Sequence, residues 1–141
     1  MSGFLLDTNC ISELTRPRGD PRVLDWLRAA DEELLHLSVL TLGEIRKGIT
    51  ALSEAKKRFQ IEAWLEKELK IRFAGRILPV DEAVADQWGR LAAKAKQLGR
   101  PLAVVDGLLA ATALRHNLTV VSRNTADFGN TPVAIFNPWV E

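Results

Sequence analysis

Residues 4–9 read FLLDTN, and this stretch decides the fold that we expect. A short apolar run ends abruptly on the carboxylate of Asp7, and a hydroxyl and an amide side chain follow it. In open α/β sheets, ligands bind in the crevice outside the carboxyl ends of the strands, so Asp7 stands where a site is expected. The same aspartate can equally be a plain helix N-cap, which is worth ~1 kcal/mol.

The rest of the chain extends this pattern into an α/β fold with a central, mainly parallel sheet flanked by helices. Short β-like runs alternate with helical patterns, which is typical of βαβ units. We predict strands at 4–6, 34–39, 76–80, 118–122 and 133–136. We predict helices at about 8–15, 22–30, from 41 onward, 53–72, 82–98 and 104–116. The expected N-caps are Asp20, Thr41 and Asp81, and Asn117 is the expected C-cap of the last helix.

Length and composition restrict the class of protein. At 141 residues, the chain is expected to be a single domain spanning 1–141. The single cysteine, Cys10, excludes an internal disulfide and is expected to be a small buried apolar residue in a reducing, cytoplasmic setting. The net charge of +1 neither demands nor excludes a polyanionic substrate. Charges interrupt every apolar run well short of a membrane span, so no membrane partner is expected.

Three further acids occupy places comparable to that of Asp7. Glu44 lies in about the first turn of the helix after strand 34–39, Asp106 near the start of the apolar helix 104–116, and Asp127 after strand 118–122. Because a parallel sheet brings the residues after its strands to one edge, we predict that the four carboxylates meet. Carboxylates in contact repel one another unless a cation intervenes. We therefore predict a site for one or two hard divalent ions, Mg²⁺ or Mn²⁺.

Such a site serves hydrolysis or transfer at phosphate, because a pair of metal ions ~3.5–4 Å apart activates water and stabilises the leaving oxygen. Each acid also has a structural alternative. Glu44 and Asp106 can simply favour a helix N-terminus, and Asp127 can be a turn residue. His36 and His116 offer no Ser/His/Asp triad by their spacing, so both are expected to be structural.

Six motifs make the chain resemble the PIN-domain ribonucleases, in particular the VapC and FitB-like toxins of bacterial toxin–antitoxin pairs. The motifs are LLDTNCISEL (5–14), LSVLTLGEIRKGI (37–49), FAGRILPVDEAVA (73–85), VVDGLLAATA (104–113), VVSRNTADF (120–128) and IFNPW (135–139). Any one of them is weak, whereas together they keep one order and spacing over nearly the whole chain.

The resemblance implies a PIN-like fold and a metal-dependent endoribonuclease that cuts single-stranded or loop RNA. It implies that Asp7, Glu44 and Asp106 are metal ligands. The fourth position is Asp127 or Asn124, because family members carry the acid at either place, and we take Asp127. Three neighbouring polar residues are expected to orient ligands or water: Thr8, Asn9 and Ser122.

The resemblance also implies partners. Toxins of this family usually form homodimers and are held inactive by a cognate antitoxin, whose other end binds operator DNA. The chain itself would then touch DNA only through the antitoxin. The amphipathic helix 53–72, with Phe59 and Trp64, can present apolar surface to another chain, although both aromatics can equally belong to the core.

The RNA-binding surface and the competing protein classes are less sharply defined. Five arginines are candidates for phosphate contact, and any of them can be ordinary solvated surface: Arg16, Arg18, Arg46, Arg100 and Arg123. A haloacid-dehalogenase phosphatase needs a second aspartate where this chain has Asn9, and a receiver domain needs an acidic pair and a late lysine that we do not find. A catalytically silent PIN module that binds RNA or protein stays open, as does a housekeeping PIN nuclease without an antitoxin.

Overall fold

The computed structural model describes residues 3–140 and contains a five-stranded sheet in which every neighbouring pair of strands is parallel. The strands are β1 (Phe4–Leu6), β2 (Leu35–Ser38), β3 (Ile77–Leu78), β4 (Thr119–Val121) and β5 (Ile135–Phe136). Their order is β3-β2-β1-β4-β5. All five predicted strands are confirmed, although the paired segments are shorter than the apolar runs that announced them.

Helices connect the strands. They are α1 (Thr8–Ser12), α2 (Pro21–Ala29), α3 (Val39–Ala51), α4 (Ala55–Trp64), α5 (Lys70–Arg72), α6 (Glu82–Gln97) and α7 (Val104–Arg115). A π-helical turn, Leu65–Leu69, joins α4 to α5, so the predicted helix 53–72 forms as one interrupted element. Arg46 of α3 pairs with Glu62 and Glu66 at 2.6 and 2.8 Å, and these ion pairs tie α3 to that element. No helix among residues 3–140 is long and apolar enough to cross a membrane.

Local capping explains where most helices begin and end. The predicted N-caps at Asp20 and Asp81 are confirmed, because each carboxylate accepts a backbone N–H of the first turn. The predicted N-cap at Thr41 is wrong: the chain turns helical three residues earlier, and Ser38 Oγ accepts the N–H of Leu40 at 3.0 Å. The C-cap of α7 is His116 rather than the predicted Asn117, which follows it in the left-handed conformation at φ 56°.

The hydrophobic core lies on both faces of the sheet because alternate residues of a strand point to opposite sides. In β1, Leu6 packs into a cluster with α1 to α4 and the π-helical turn, and Leu5 packs into a second cluster with α6 and α7. Cys10 is buried in the first cluster, as expected. Burial raises the pKa of its thiol to about 12, so the thiol is not ionised at neutral pH.

The sheet order also places a crevice at the centre of the fold. From β1 the chain proceeds outward through β2 to β3, and it returns to the other side of β1 as β4. This reversal of strand order is the topological switch point at which ligands bind in open α/β sheets. The residues that follow β1 and β4, Asp7 and Ser122, therefore face the same crevice.

Candidate active site

Asp7 belongs both to a helix cap and to the site. Its backbone N–H extends the sheet by donating to Val121 O at 2.9 Å, which fixes the carboxylate at the end of β1. One carboxylate oxygen accepts the N–H of Thr8 at 2.8 Å, and the other accepts the hydroxyl of Ser122 at 2.7 Å. The capping interpretation and the site interpretation are therefore both correct, because a carboxylate has enough lone pairs for both roles.

Glu44 approaches the same crevice from α3. It lies in the second turn rather than the predicted first, because the helix begins at Val39. The hydroxyl of Thr8 donates to Glu44 Oε1 at 2.5 Å and lies 3.5 Å from the hydroxyl of Thr41. Thr8 thus joins the first turn of α1 to α3 and orients the Glu44 side chain.

Asp106 and Asp127 complete a cluster of four carboxylates. Asp106 lies in the first turn of α7, and Asp127 lies in the 3₁₀ turn Thr125–Phe128 after β4. The pKa of Asp106 is raised to about 6, chiefly by burial and then by the charges of Asp127, Asp7 and Glu44 in that order. Burial likewise raises the pKa of Asp7, the hydrogen bonds from Ser122 and Thr8 oppose this, and Glu44 and Asp127 add repulsion. The structure therefore brings the four predicted acids within each other's electrostatic reach.

Polar neighbours hold the Asp7 carboxylate in place. The amide of Asn9 lies 3.4 Å from Asp7 Oδ2 and 3.4 Å from Ser122 Oγ. The backbone N–H of Asn124 donates to Ser122 Oγ at 3.0 Å. Asn124 thus supports Ser122 through its backbone, whereas Asp127 contributes a charge that acts on Asp7 and Asp106.

The donor set suits a hard divalent cation, because all four side chains offer anionic oxygen and no thiolate or imidazole is among them. As the side chains stand, however, no three acidic, histidine or cysteine side chains within residues 3–140 are arranged around a common ion. The carboxylates repel each other, and direct coordination by three of them requires side-chain rotation toward one point. The chemistry of the site fits such an ion.

The five candidate arginines differ in how their charges are used. Arg16 pairs with Glu13 at 3.1 Å, Arg46 pairs with Glu62 and Glu66, and Arg100 lies 3.4 Å from the side-chain oxygen of Asn130. Arg18 is exposed. The guanidinium of Arg123 stacks over the ring of Trp139 at 4.9 Å from the centroid.

Two cavities lie at opposite ends of the sheet. A groove of about 830 Å³ begins at Thr8 and Glu44 and runs between α1, α3 and α4, and its walls are mainly apolar, including Ile45, Ile61 and Trp64. A smaller cavity of about 480 Å³ is lined by His36 and His116. Gly3, which precedes β1, also lines this cavity. The two histidines therefore lie at the other end of the strands from the four acids.

The two aromatic residues of α4 differ in their surroundings. Phe59 is 72% exposed, whereas Trp64 packs against the core.

Reasoning from the sequence missed three residues that support the site. Glu13 and Trp139 form a buried pair, and their only sequence signal was membership in the motifs LLDTNCISEL and IFNPW. Gly107 follows Asp106, and a Cβ there would lie 2.9 Å from Trp88 Cδ1, so glycine permits the close packing of α7 on α6. The available signal was a glycine inside an apolar helix. Such a glycine costs about 1 kcal/mol in helix propensity, so its presence indicates a packing or functional reason.

Comparison with known proteins gives concordant results at the level of family, sequence and structure. A family model described as the PIN domain matches residues 4–133. Toxin FitB of Neisseria gonorrhoeae is 44% identical over 96% of this chain and 98% of its own length. A VapC ribonuclease of Sinorhizobium fredii is 39% identical over 96% of this chain and 97% of its own. The structure of FitAB bound to a DNA fragment superposes with a TM-score of 0.91 at 43% identity, covering 96% of this chain and 95% of that one.

Proposed function

The chain belongs to the PIN-domain family, and on this premise we propose that it is a metal-dependent endoribonuclease and the toxin of a type II toxin–antitoxin system. A relative named toxin FitB and another named VapC ribonuclease support the two halves of the proposal over nearly the full chain. The observation that carries it is the cluster of four carboxylates, delivered by four separate segments to the switch point of the sheet. Carboxylates that served only as independent helix caps would not need to meet at one place.

Asp7, Glu44, Asp106 and Asp127 would hold one or two divalent ions, Mg²⁺ or Mn²⁺. A bound ion would lower the pKa of a water molecule and stabilise the oxygen that leaves when an RNA phosphodiester is hydrolysed. The chain's own side chains prepare the donors. Ser122 donates to Asp7 and so favours its charged form, which is the form that binds a cation.

Thr8 and Asn9 fix the directions of the carboxylates. The hydrogen bond from Thr8 to Glu44 ties an exposed glutamate to the first turn of α1. The amide of Asn9 spans Asp7 and Ser122. Because these groups set ligand orientation without contributing charge, their loss is expected to reduce metal affinity or activity by about 10–100-fold rather than abolish it.

The proposed partners are RNA as substrate, a second copy of the chain, and a cognate antitoxin that mediates any contact with DNA. The groove that begins at Thr8 and Glu44 is the proposed antitoxin surface, because it is mainly apolar and opens at the acids. An arginine from the antitoxin would suit the acids, since its planar fork matches carboxylates in two-point geometry. Such an arginine would compete with the metal ion.

Cleavage of a labelled single-stranded RNA by the purified chain, in Mg²⁺ and in EDTA, tests the enzymatic half. We expect cleavage only with the metal, a melting temperature that rises with metal concentration, and a loss of more than about 100-fold in Asp7→Asn and Asp106→Asn, beyond the effect of an orienting residue. Both variants should stay folded or gain stability, because each removes a charge from a repulsive cluster. Glu44→Gln should be severe and Asp127→Asn variable.

Asp25→Asn is the matched control, since it removes an exposed α2 carboxylate that pairs with Arg28 on the same helix. Undiminished cleavage in EDTA, or wild-type rates in Asp7→Asn or Asp106→Asn, would overturn the metal mechanism. RNA binding without cleavage under any metal would identify a silent PIN module instead. Sequencing the RNA ends that appear on brief induction would define the cut site.

A further inference from the structure

Glu13 is a buried acid outside the carboxylate cluster, and only 2% of its side chain is exposed. Its Oε2 accepts the indole N–H of Trp139 at 3.3 Å and the backbone N–H of Asp20 at 3.2 Å, and the guanidinium of Arg16 lies 3.1 Å from Oε1. A buried carboxylate is costly unless such partners compensate it. The contact between Glu13 and Trp139 joins two distant parts of the chain, and it fixes the indole in place.

Trp139 in turn holds Arg123. The indole is buried, and its ring face lies 4.9 Å from the Arg123 guanidinium. The side chain of Asn137 donates to the carbonyl of Arg123 at 3.4 Å, which restrains the backbone at the same residue. A guanidinium stacked on a fixed ring has fewer conformations than one in free solvent, so it loses less entropy when it binds a ligand.

Arg123 also lies beside the proposed catalytic cluster. It directly follows Ser122, which donates to Asp7, and its backbone N–H lies 3.5 Å from Asn9 Oδ1. Its side chain is exposed. No carboxylate within residues 3–140 forms a salt bridge with it, whereas Arg16 and Arg46 are both paired. Of these three arginines, Arg123 therefore has both the position and the unneutralised charge to meet an incoming anion.

We infer that Arg123, held against Trp139, binds the phosphate backbone of the RNA at the edge of the site, and that Trp139 and Glu13 are positioning residues for it. The inference rests on the proposed nuclease function. An RNA strand that approaches four carboxylates is repelled, and a cation fixed at the rim offsets that repulsion. The planar guanidinium also matches phosphate oxygens in two-point geometry.

Equilibrium binding of a single-stranded RNA, measured in EDTA so that it is not cut, tests this at several salt concentrations. Each phosphate contact to a single strand contributes about 0.7 to the slope of log affinity against log salt. Arg123→Gln should therefore lower the slope by about 0.7, which is about fivefold in affinity at 0.1 M salt. Arg90→Gln on α6 is the matched control and should change neither quantity, because Arg90 is an exposed arginine paired with Asp86.

Two further variants test the positioning role. Arg123→Lys keeps the charge without the planar group, so the slope should stay near that of the wild type while affinity falls. Trp139→Phe keeps a ring face and should retain most of the affinity, whereas Trp139→Leu should bind more weakly with the slope of the wild type, because the charge of Arg123 remains. If Trp139→Leu does not fold, the double variant Trp139→Phe with Glu13→Gln replaces it. This variant removes the indole N–H and the charge that accepts it. The inference then requires weaker RNA binding with an unchanged salt slope.

If Arg123→Gln binds RNA with the affinity and salt slope of the wild type, while the wild-type protein binds and cuts RNA as proposed, this inference is overturned and the nuclease function stands. Failure of the wild type to bind or cut RNA would instead overturn the proposed function. Equal losses in Arg123→Gln and Arg90→Gln would assign the effect to overall charge and also contradict the inference.

Discussion

At the scale of single residues, two roles coincide at one carboxylate. Asp7 caps α1 through one oxygen and accepts from Ser122 through the other. A sequence pattern that fits a helix cap therefore does not count against a functional site. The same holds for Asp106, whose place in the first turn of α7 favours a negative charge although the neighbouring acids oppose it.

The raised pKa of Asp106 predicts a pH-dependent loss of stability. Its folded pKa of about 6 exceeds the ordinary value of 3.8, so the folded protein binds more protons than the unfolded chain between these values. The stability contributed by Asp106 therefore falls as pH rises through that window, and the penalty is complete above about pH 6. Thermal melts in EDTA should show a larger fall, or a smaller rise, from pH 7 to pH 4 in Asp106→Asn than in the wild type, because the variant has no penalty to relieve.

The comparison with Asp106→Asn is essential because other acids titrate in the opposite sense. Arg72 and Arg76 lower the pKa of Glu32, so its contribution is lost as pH falls. Mg²⁺ should remove the Asp106 contribution and steepen the fall of wild-type stability toward low pH, since a cation favours the charged form of each ligand and is released when the ligands are protonated. A wild-type profile that matches that of Asp106→Asn in EDTA would contradict the raised pKa.

At the scale of helices and strands, the beginning of α3 shows how one local competition sets the site. Ser38 and Thr41 are both acceptable N-caps, and Ser38 is the one used. Thr41 is consequently buried in the helix, where its hydroxyl faces Thr8. The earlier start also moves Glu44 to the second turn, where Thr8 can reach it.

The packing of α7 on α6 gives a prediction at the same scale. In Gly107→Ala, the new methyl group would lie 2.9 Å from Trp88 Cδ1 and 3.0 Å from Leu102 Cδ2, so these side chains or the backbone of α7 must shift. Overpacking costs ~1–3 kcal/mol, and the better helix propensity of alanine returns ~1 kcal/mol. We expect a net loss of up to ~2 kcal/mol in the free energy of unfolding, and lower cleavage because Asp106 is adjacent.

Gly89→Ala on α6 is the matched control, since a Cβ there has no neighbour within 4 Å. Chemical denaturation should show a gain of up to ~1 kcal/mol for Gly89→Ala, opposite in sign to Gly107→Ala. Equal gains in both variants would mean that α6 and α7 are not packed at Gly107 as described.

At the scale of the whole molecule, the groove reaches the candidate site through Thr8 and Glu44, which line its end. A partner bound in the groove would therefore reach the site. We predict that a small protein encoded beside this chain co-purifies with it, blocks cleavage, and blocks it less well at raised Mg²⁺ and raised salt, because charges drive part of the contact. Recovery of the chain alone, harmless to growing cells, would favour a housekeeping nuclease.

A groove variant separates this surface from the catalytic acids. Gly48 lies on α3 in the groove with open space above it, so Gly48→Phe should fill the groove while leaving the four acids unchanged. We expect the variant to cut RNA but to escape the antitoxin in a pull-down. Gly89→Phe, outside the groove, should still be captured. Equal capture of both variants would place the antitoxin elsewhere.

The sequence by itself determined the elements and much of the site. Short apolar runs predicted the strands, caps such as Asp20 and Asp81 predicted helices, and a carboxylate after a strand pointed to Asp7. These features could be predicted because apolar runs, capping and helical periodicity each depend on residues a few positions apart. The prediction that the four acids meet required the further assumption that the sheet is parallel.

The tertiary structure alone decided which distant residues support that site. Local periodicity does not specify strand order, and the order β3-β2-β1-β4-β5 is what brings Ser122 to Asp7 and Trp139 to Glu13. The same holds for Gly107, whose neighbour Trp88 belongs to another helix. Contacts across more than a hundred residues depend on how whole elements pack, and this packing is a property of the complete chain rather than of any stretch within it.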